Sequence, residues 1–168
     1  MLSIGIIWNS AYKYKAMIEK DLREKVVVSG IFDFDFSDND YIEFVWKIYS
    51  SEQMEKWKIE NKLAHMITSQ NRKISIIFFD FDDKNIEYHP FKKKNVFTEL
   101  ESCKKYIREK YEPYVENYTF DIIFHATDNI DELKKCFSTI KQFLESKQLT
   151  NDEIKQLKKI NQYGKNIK

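Results

Sequence analysis

Tyr118-Thr119-Phe120-Asp121-Ile122-Ile123-Phe124-His125-Ala126-Thr127-Asp128-Asn129 is the stretch on which the reading of the chain turns. Phe120 to Phe124 is an apolar run and reads as a buried strand. His125 to Asn129 is polar. A periodic helix then opens near Ile130, with Leu133, Phe137, Ile140 and Leu144 on one face. Asn129, with Glu132 three residues on, supplies its start signal. A strand that hands His, Thr, Asp and Asn to the start of a helix is a common way for an α/β protein to build a site.

Working outward, Ser3 to Trp8 reads as a second buried strand, followed by a helix start at Asn9-Ser10 and a face of Tyr14, Met17, Ile18 and Leu22. Val26 to Phe32 is β-branched and reads as a strand. Two helices follow, one carrying Tyr41, Phe44, Val45 and Ile48, the other Met54, Trp57, Leu63, Ala64 and Ile67. Ile74 to Phe79 is the clearest strand. Lys84 to Lys94 reads as a loop or weak hairpin, and Val96-Phe97 as a short edge strand. Thr98 with Glu101 spells a capping box for a helix that buries Leu100, Cys103 and Ile107 and stops before Pro113. Thr150 with Glu153 spells another, opening a last helix that Gly164 ends. Strands alternating with helices predict a three-layer α/β sandwich, with a mostly parallel central sheet of four to five strands and helices on both faces.

The 168 residues are expected to form a single domain, 1–168, with 163–168 as a frayed tail. Apolar residues make up 42% of the chain, which excludes a disordered segment. Its 28 Lys and Arg nearly balance 27 Asp and Glu, so it is not built as a dedicated nucleic-acid binder. No apolar run is long enough to span a membrane, and Lys13 and Lys15 follow the first apolar run too closely for a signal peptide. A cytoplasmic protein is expected. Cys103 and Cys136 fall on apolar helix faces and read as reduced core residues.

The candidate site follows from strand order. In a parallel sheet, ligands sit beyond the carboxyl ends of neighbouring strands. If the strands ending at Trp8 and Phe124 are neighbours, Asn9-Ser10 and His125 to Asn129 flank one crevice. Two helix starts would then favour an anion of phosphate size. His125 is the candidate acid/base, with Asp128 as its orienter. Ser10, Lys13, Arg108, Thr127 and Asn129 are the candidate ligands of an anionic small-molecule substrate. Arg108 is singled out because its planar fork suits phosphate or carboxylate. The other basic residues, Lys92 to Lys94 and Lys104, Lys105 and Lys110, read mostly as solvated surface.

Two acidic clusters end strands: Asp33-Phe34-Asp35 and Asp80-Phe81-Asp82-Asp83. Carboxylates so placed can share Mg²⁺ or Mn²⁺, and Asp80 and Asp82 are the candidate metal ligands. Ile31-Phe32-Asp33-Phe34-Asp35-Phe36-Ser37 resembles the first motif of the haloacid dehalogenase phosphatases, an apolar strand ending in DxD. That resemblance implies Asp33 as nucleophile and Asp35 as acid/base, although Phe36 stands where the family usually has Gly. Gly30-Ile31-Phe32-Asp33 is similar to the GxFD opening of cytidylyltransferases, but both histidines of their HxGH are absent. The expected function is therefore a small enzyme-like domain acting on a phosphorylated or nucleotide-activated substrate. A transferase (glycosyl-, phospho- or nucleotidyl-) is favoured, with bacterial surface-glycan synthesis as one setting. The alternatives are a non-catalytic interaction or regulatory module and, third, a phosphatase.

Overall fold

A computed structural model describes residues 1–82, 85–119 and 121–167. Phe120, the expected start of the central strand, and Asp83, of the second acidic cluster, lie outside these. The described strands are β1 (Leu2–Ile7), β2 (Val27–Asp35), β3 (Lys73–Asp80), β4 (Ile86–His89), β5 (Lys94–Phe97) and β6 (Phe124–Ala126). The helices are α1 (Lys15–Arg23), α2 (Asp38–Ser51), α3 (Lys56–Met66), α4 (Thr98–Tyr111), α5 (Ile130–Glu145) and α6 (Asn151–Gly164). Short 3-10 turns run over Asn9–Tyr14 and Glu112–Tyr114.

The main sheet has the order β2-β3-β1-β6, and every neighbouring pair in it is antiparallel. The expected mostly parallel sheet is therefore corrected. The physical reason lies in the crossovers. β1-α1-β2 brings two parallel strands back with a gap between them, and β3 fills that gap. β3-α4-β6 likewise straddles β1. Two interleaved split βαβ units give the strand order of ferredoxin-like domains. Alternation in sequence shows that helices connect strands; it does not show which strands touch. The β4-β5 hairpin forms a separate two-stranded sheet and is inserted between β3 and α4.

Directly opposed residues of an antiparallel ladder share a face. Phe32, Ile76, Ile6 and His125 therefore line one face. Helices α2, α5 and α6 cover it through a chain of rings, Phe34 on Phe36, and Phe36 and Phe44 on Phe143. Tyr163 of α6 stacks on Phe78 at 4.3 Å between centroids. On the other face, Asp33 of β2 pairs with Lys15 of α1 at 2.5 Å, and α1 packs on α4. Cys103 of α4 and Cys136 of α5 are buried free thiols.

Residues 118–129 depart from the expected strand. Asp121 has φ 56°, in the left-handed region, which interrupts the extended run. Ile122 and Ile123 stay buried, but the ladder begins only at Phe124. His125 thus sits within the sheet, opposite Ile6, instead of following its end. Asn129 does cap α5, accepting the Glu132 N–H at 3.0 Å, and Thr150 with Glu153 forms the expected capping box. Thr98 does not cap α4. Its hydroxyl donates to the Asn85 carbonyl at 3.1 Å, and Glu101 turns to lysines.

Candidate functional site

His125 is 6% exposed, and its ring lies beside Tyr49 and Trp8, at 5.5 and 6.5 Å between centroids. Its Nε2 is 2.8 Å from Oε1 of Glu52, the residue that closes the C-terminal end of α2. Among the described residues neither atom makes an aligned hydrogen bond, and the two buried polar atoms face each other. Burial alone would raise the Glu52 carboxyl. The facing His125, with help from Lys94 and Lys104, outweighs it and holds the carboxyl below its ordinary range.

The pair stands in a cleft of about 290 Å³. α2 contributes Tyr49, α3 Lys58 and Lys62, the hairpin Phe91, Lys92 and Lys94, α4 Lys104 and Arg108, and β6 His125. Six cationic side chains meet four carboxylates, those of Glu52, Glu55, Asp121 and Asp128. Arg108 is held by its Nε, which donates to the Phe124 carbonyl at 3.0 Å, and its Nη1 lies 3.3 Å from Asp121. Lys62 lies over the Tyr49 ring, and burial pushes its ammonium down to about 8. Phe91 stands at the rim, 93% exposed.

One wall of the cleft is an ion-pair network. The Asp128 carboxylate takes Lys94 at 2.8 Å, Lys92 at 3.1 Å, and Lys104. Lys104 also meets Glu101 at 2.8 Å, and Lys94 meets Glu132. The Asp128 N–H donates to Glu132 at 2.9 Å. Burial and the neighbouring Lys92 charge push the Lys104 ammonium down to about 7, against the pull of Glu101. The same lysines hold the Glu101 carboxyl at about 2, although burial alone would raise it.

The structure brings His125, Arg108 and Asp128 to one cleft. Asp128 faces lysines, and the carboxylate against His125 is Glu52. Thr127 joins β6 to β1, its hydroxyl 2.9 Å from Ser3 and its N–H on the Ile4 carbonyl. Asn129 caps α5 and reaches the Asn95 carbonyl at 3.4 Å. Ser10 and Lys13 do not line the cleft. β1 and β6 are neighbours, but antiparallel ones: Trp8 bonds to Ile123, while Thr127 bonds to Ile4. Their carboxyl ends point in opposite directions, so the expected pair of helix starts around one anion is corrected. Ser10 donates to Asn9 at 3.4 Å, and the Lys13 ammonium lies 5.0 Å from the Tyr14 ring centroid.

Asp80 and Asp82 are exposed. Among the described residues, no group of three or more His, Cys, Asp and Glu is arranged to hold a metal ion. Asp33, paired with Lys15, and exposed Asp35 lie on β2, an edge strand.

The sequence expectations omit Glu52 and Lys62 and place Lys104 on the solvated surface, which its burial corrects, yet each residue carries a signal. Glu52 is four residues past Ile48, Lys62 four before Met66, and Lys104 four past Leu100, so all three lie on the apolar stripes of their helices. A charge on a buried stripe has to find a partner.

No family model matches the chain, and no curated protein does. Among solved structures, it is similar to a nucleoside diphosphate kinase of Aquifex aeolicus, with 13% identity and a TM-score of 0.49, over 83% of this chain and 93% of that one.

Proposed function

We propose that the chain is a small transferase that takes a phosphorylated or nucleotide-activated anion into the cleft, where His125 acts on the reacting phosphoryl group. The observation that carries this reading is convergence. A buried imidazole backed by a carboxylate stands in the same cleft as Arg108, Lys58 and Lys62. The carboxylate faces the ring and would stabilise the cation that forms when the imidazole takes a proton, or when it attacks the γ-phosphorus of a nucleoside triphosphate, breaking the β–γ P–O bond and releasing the nucleoside diphosphate. The cationic side chains would hold the equatorial oxygens of that group and offset charge as it develops. The phosphatase reading lacks such a gathering, since Asp33 is occupied by Lys15 on a sheet edge.

The test is incubation with Mg²⁺ and a panel of γ-labelled nucleoside triphosphates and labelled sugar nucleotides, following label on protein and turnover of donor. Wild type should label or turn over donor. His125→Gln, which keeps a planar polar group in the buried slot, should lose this while its circular dichroism stays native. Silence of the wild type across the panel, or full activity of His125→Gln, would remove the reading.

A second reading, an interaction module, has one observation in its favour. The hairpin exposes Phe91, Tyr88 and Ile86 at 93, 63 and 59%. A partner protein docking there would bind His125→Gln as well as wild type.

A further inference from the structure

Asp121 is the one carboxylate of the cleft held in the left-handed backbone region, at φ 56°. Asp tolerates that region better than most side chains, though Gly and Asn fit it with less strain. The conformation turns the residue back toward α4. Its Oδ2 lies 3.3 Å from Arg108 Nη1, and its Oδ1 accepts from the Tyr118 hydroxyl at 2.9 Å. Its carbonyl accepts from Lys62 at 3.4 Å. One cation of the α3 wall, Lys62, and one of the α4 wall, Arg108, are therefore both engaged by this single residue. The Asp121 side chain is 47% exposed, against 18% for Arg108. The arginine is fixed by the Phe124 carbonyl, while the carboxylate is the exchangeable partner.

Resting on the anion-cleft reading above, we propose that Asp121 is an internal competitor: its carboxylate occupies the place of an incoming anion on Arg108 and must be displaced before that anion binds. An exposed single-contact ion pair is weak, whereas a phosphate can take the guanidinium fork through two hydrogen bonds. The exchange then favours a polyanion over a monoanion, and Asp121 sets a threshold of affinity below which ligands are turned away.

The experiment is titration calorimetry of the full chain with inorganic tripolyphosphate and, separately, acetate. Asp121→Asn keeps the tolerance of the left-handed backbone and the acceptor for Tyr118, removing only the charge. It should bind tripolyphosphate about fivefold more tightly than wild type and should gain weak acetate binding. Asp121→Gly, which suits φ 56° without strain, should show the same gain and guards against a folding defect in the first variant. Arg108→Ala should lose the binding in either background. Equal or weaker binding by both Asp121 variants, with wild type binding tripolyphosphate, overturns the competitor role and leaves the anion cleft standing. Absence of binding by wild type and both variants overturns the two together.

Discussion

Lys104 is a lysine with a side chain only 2% exposed, a place from which its charge is excluded unless carboxylates surround it. Asp128 and Glu101 do so. Replacing one member of such a buried group leaves the rest uncompensated, so Lys104→Met should lower stability by about 2–4 kcal/mol in urea unfolding. Lys105, the next residue, is 72% exposed, and Lys105→Met should change it by less than about 0.5 kcal/mol. The sequence expectation treats both as solvated surface, although 104 falls on the stripe of Leu100 and Ile107 and 105 does not. The partner of His125 was not legible. Glu52 closes α2, far from β6 in sequence, and no local spacing announces a contact made by tertiary packing.

Thr98-Glu99-Leu100-Glu101 and Thr150-Asn151-Asp152-Glu153 spell the same helix start, yet only the second is used as one. Thr150 accepts the Glu153 N–H at 3.3 Å, and Glu153 returns to the Thr150 N–H at 2.8 Å. Thr150→Ala should therefore cost about 1 kcal/mol in thermal or urea unfolding. Glu153→Gln should cost less, since the amide oxygen still accepts. Glu101→Gln should cost more than Glu153→Gln, because Glu101 answers Lys92 and Lys104 and does not cap its helix. The motif fails at α4 because two lysines compete for its carboxylate and outbid a backbone N–H. Much of the element reading was sound for a related reason. Periodicity is a property of one segment, and α2, α3, α5 and α6 show it within themselves. The pairing of strands is a property of two segments, and a run such as Ile74 to Phe79 is apolar in the same way whichever neighbours it has.

Across the molecule, acid should act through the network beside the cleft. The Glu101 carboxyl, ordinarily at 4.5, is held at about 2 in the folded chain. Its contribution is complete above 4.5 and is lost as pH falls from there toward 2, where the folded state takes up the proton as well. Stability measured by urea unfolding should decline over that window, and Glu101→Gln should flatten the decline while lowering the plateau. Asp21, held below its ordinary range despite burial by Lys110 and Tyr111, adds a slope of the same sign. The length of β6 bears on when this network can exist at all. A three-residue strand has little to hold it, and it docks on β1 at the opposite end of the chain; Ser3 and Thr127, 124 residues apart, meet there. Closing so long a loop is slow unless the intervening chain has already condensed. During synthesis, β1, β2 and β3 can assemble as soon as β3 emerges, but His125 then still lies ahead in the unmade chain. The cleft is a late product of folding, and a nascent chain stalled before β6 would hold most of its sheet without it.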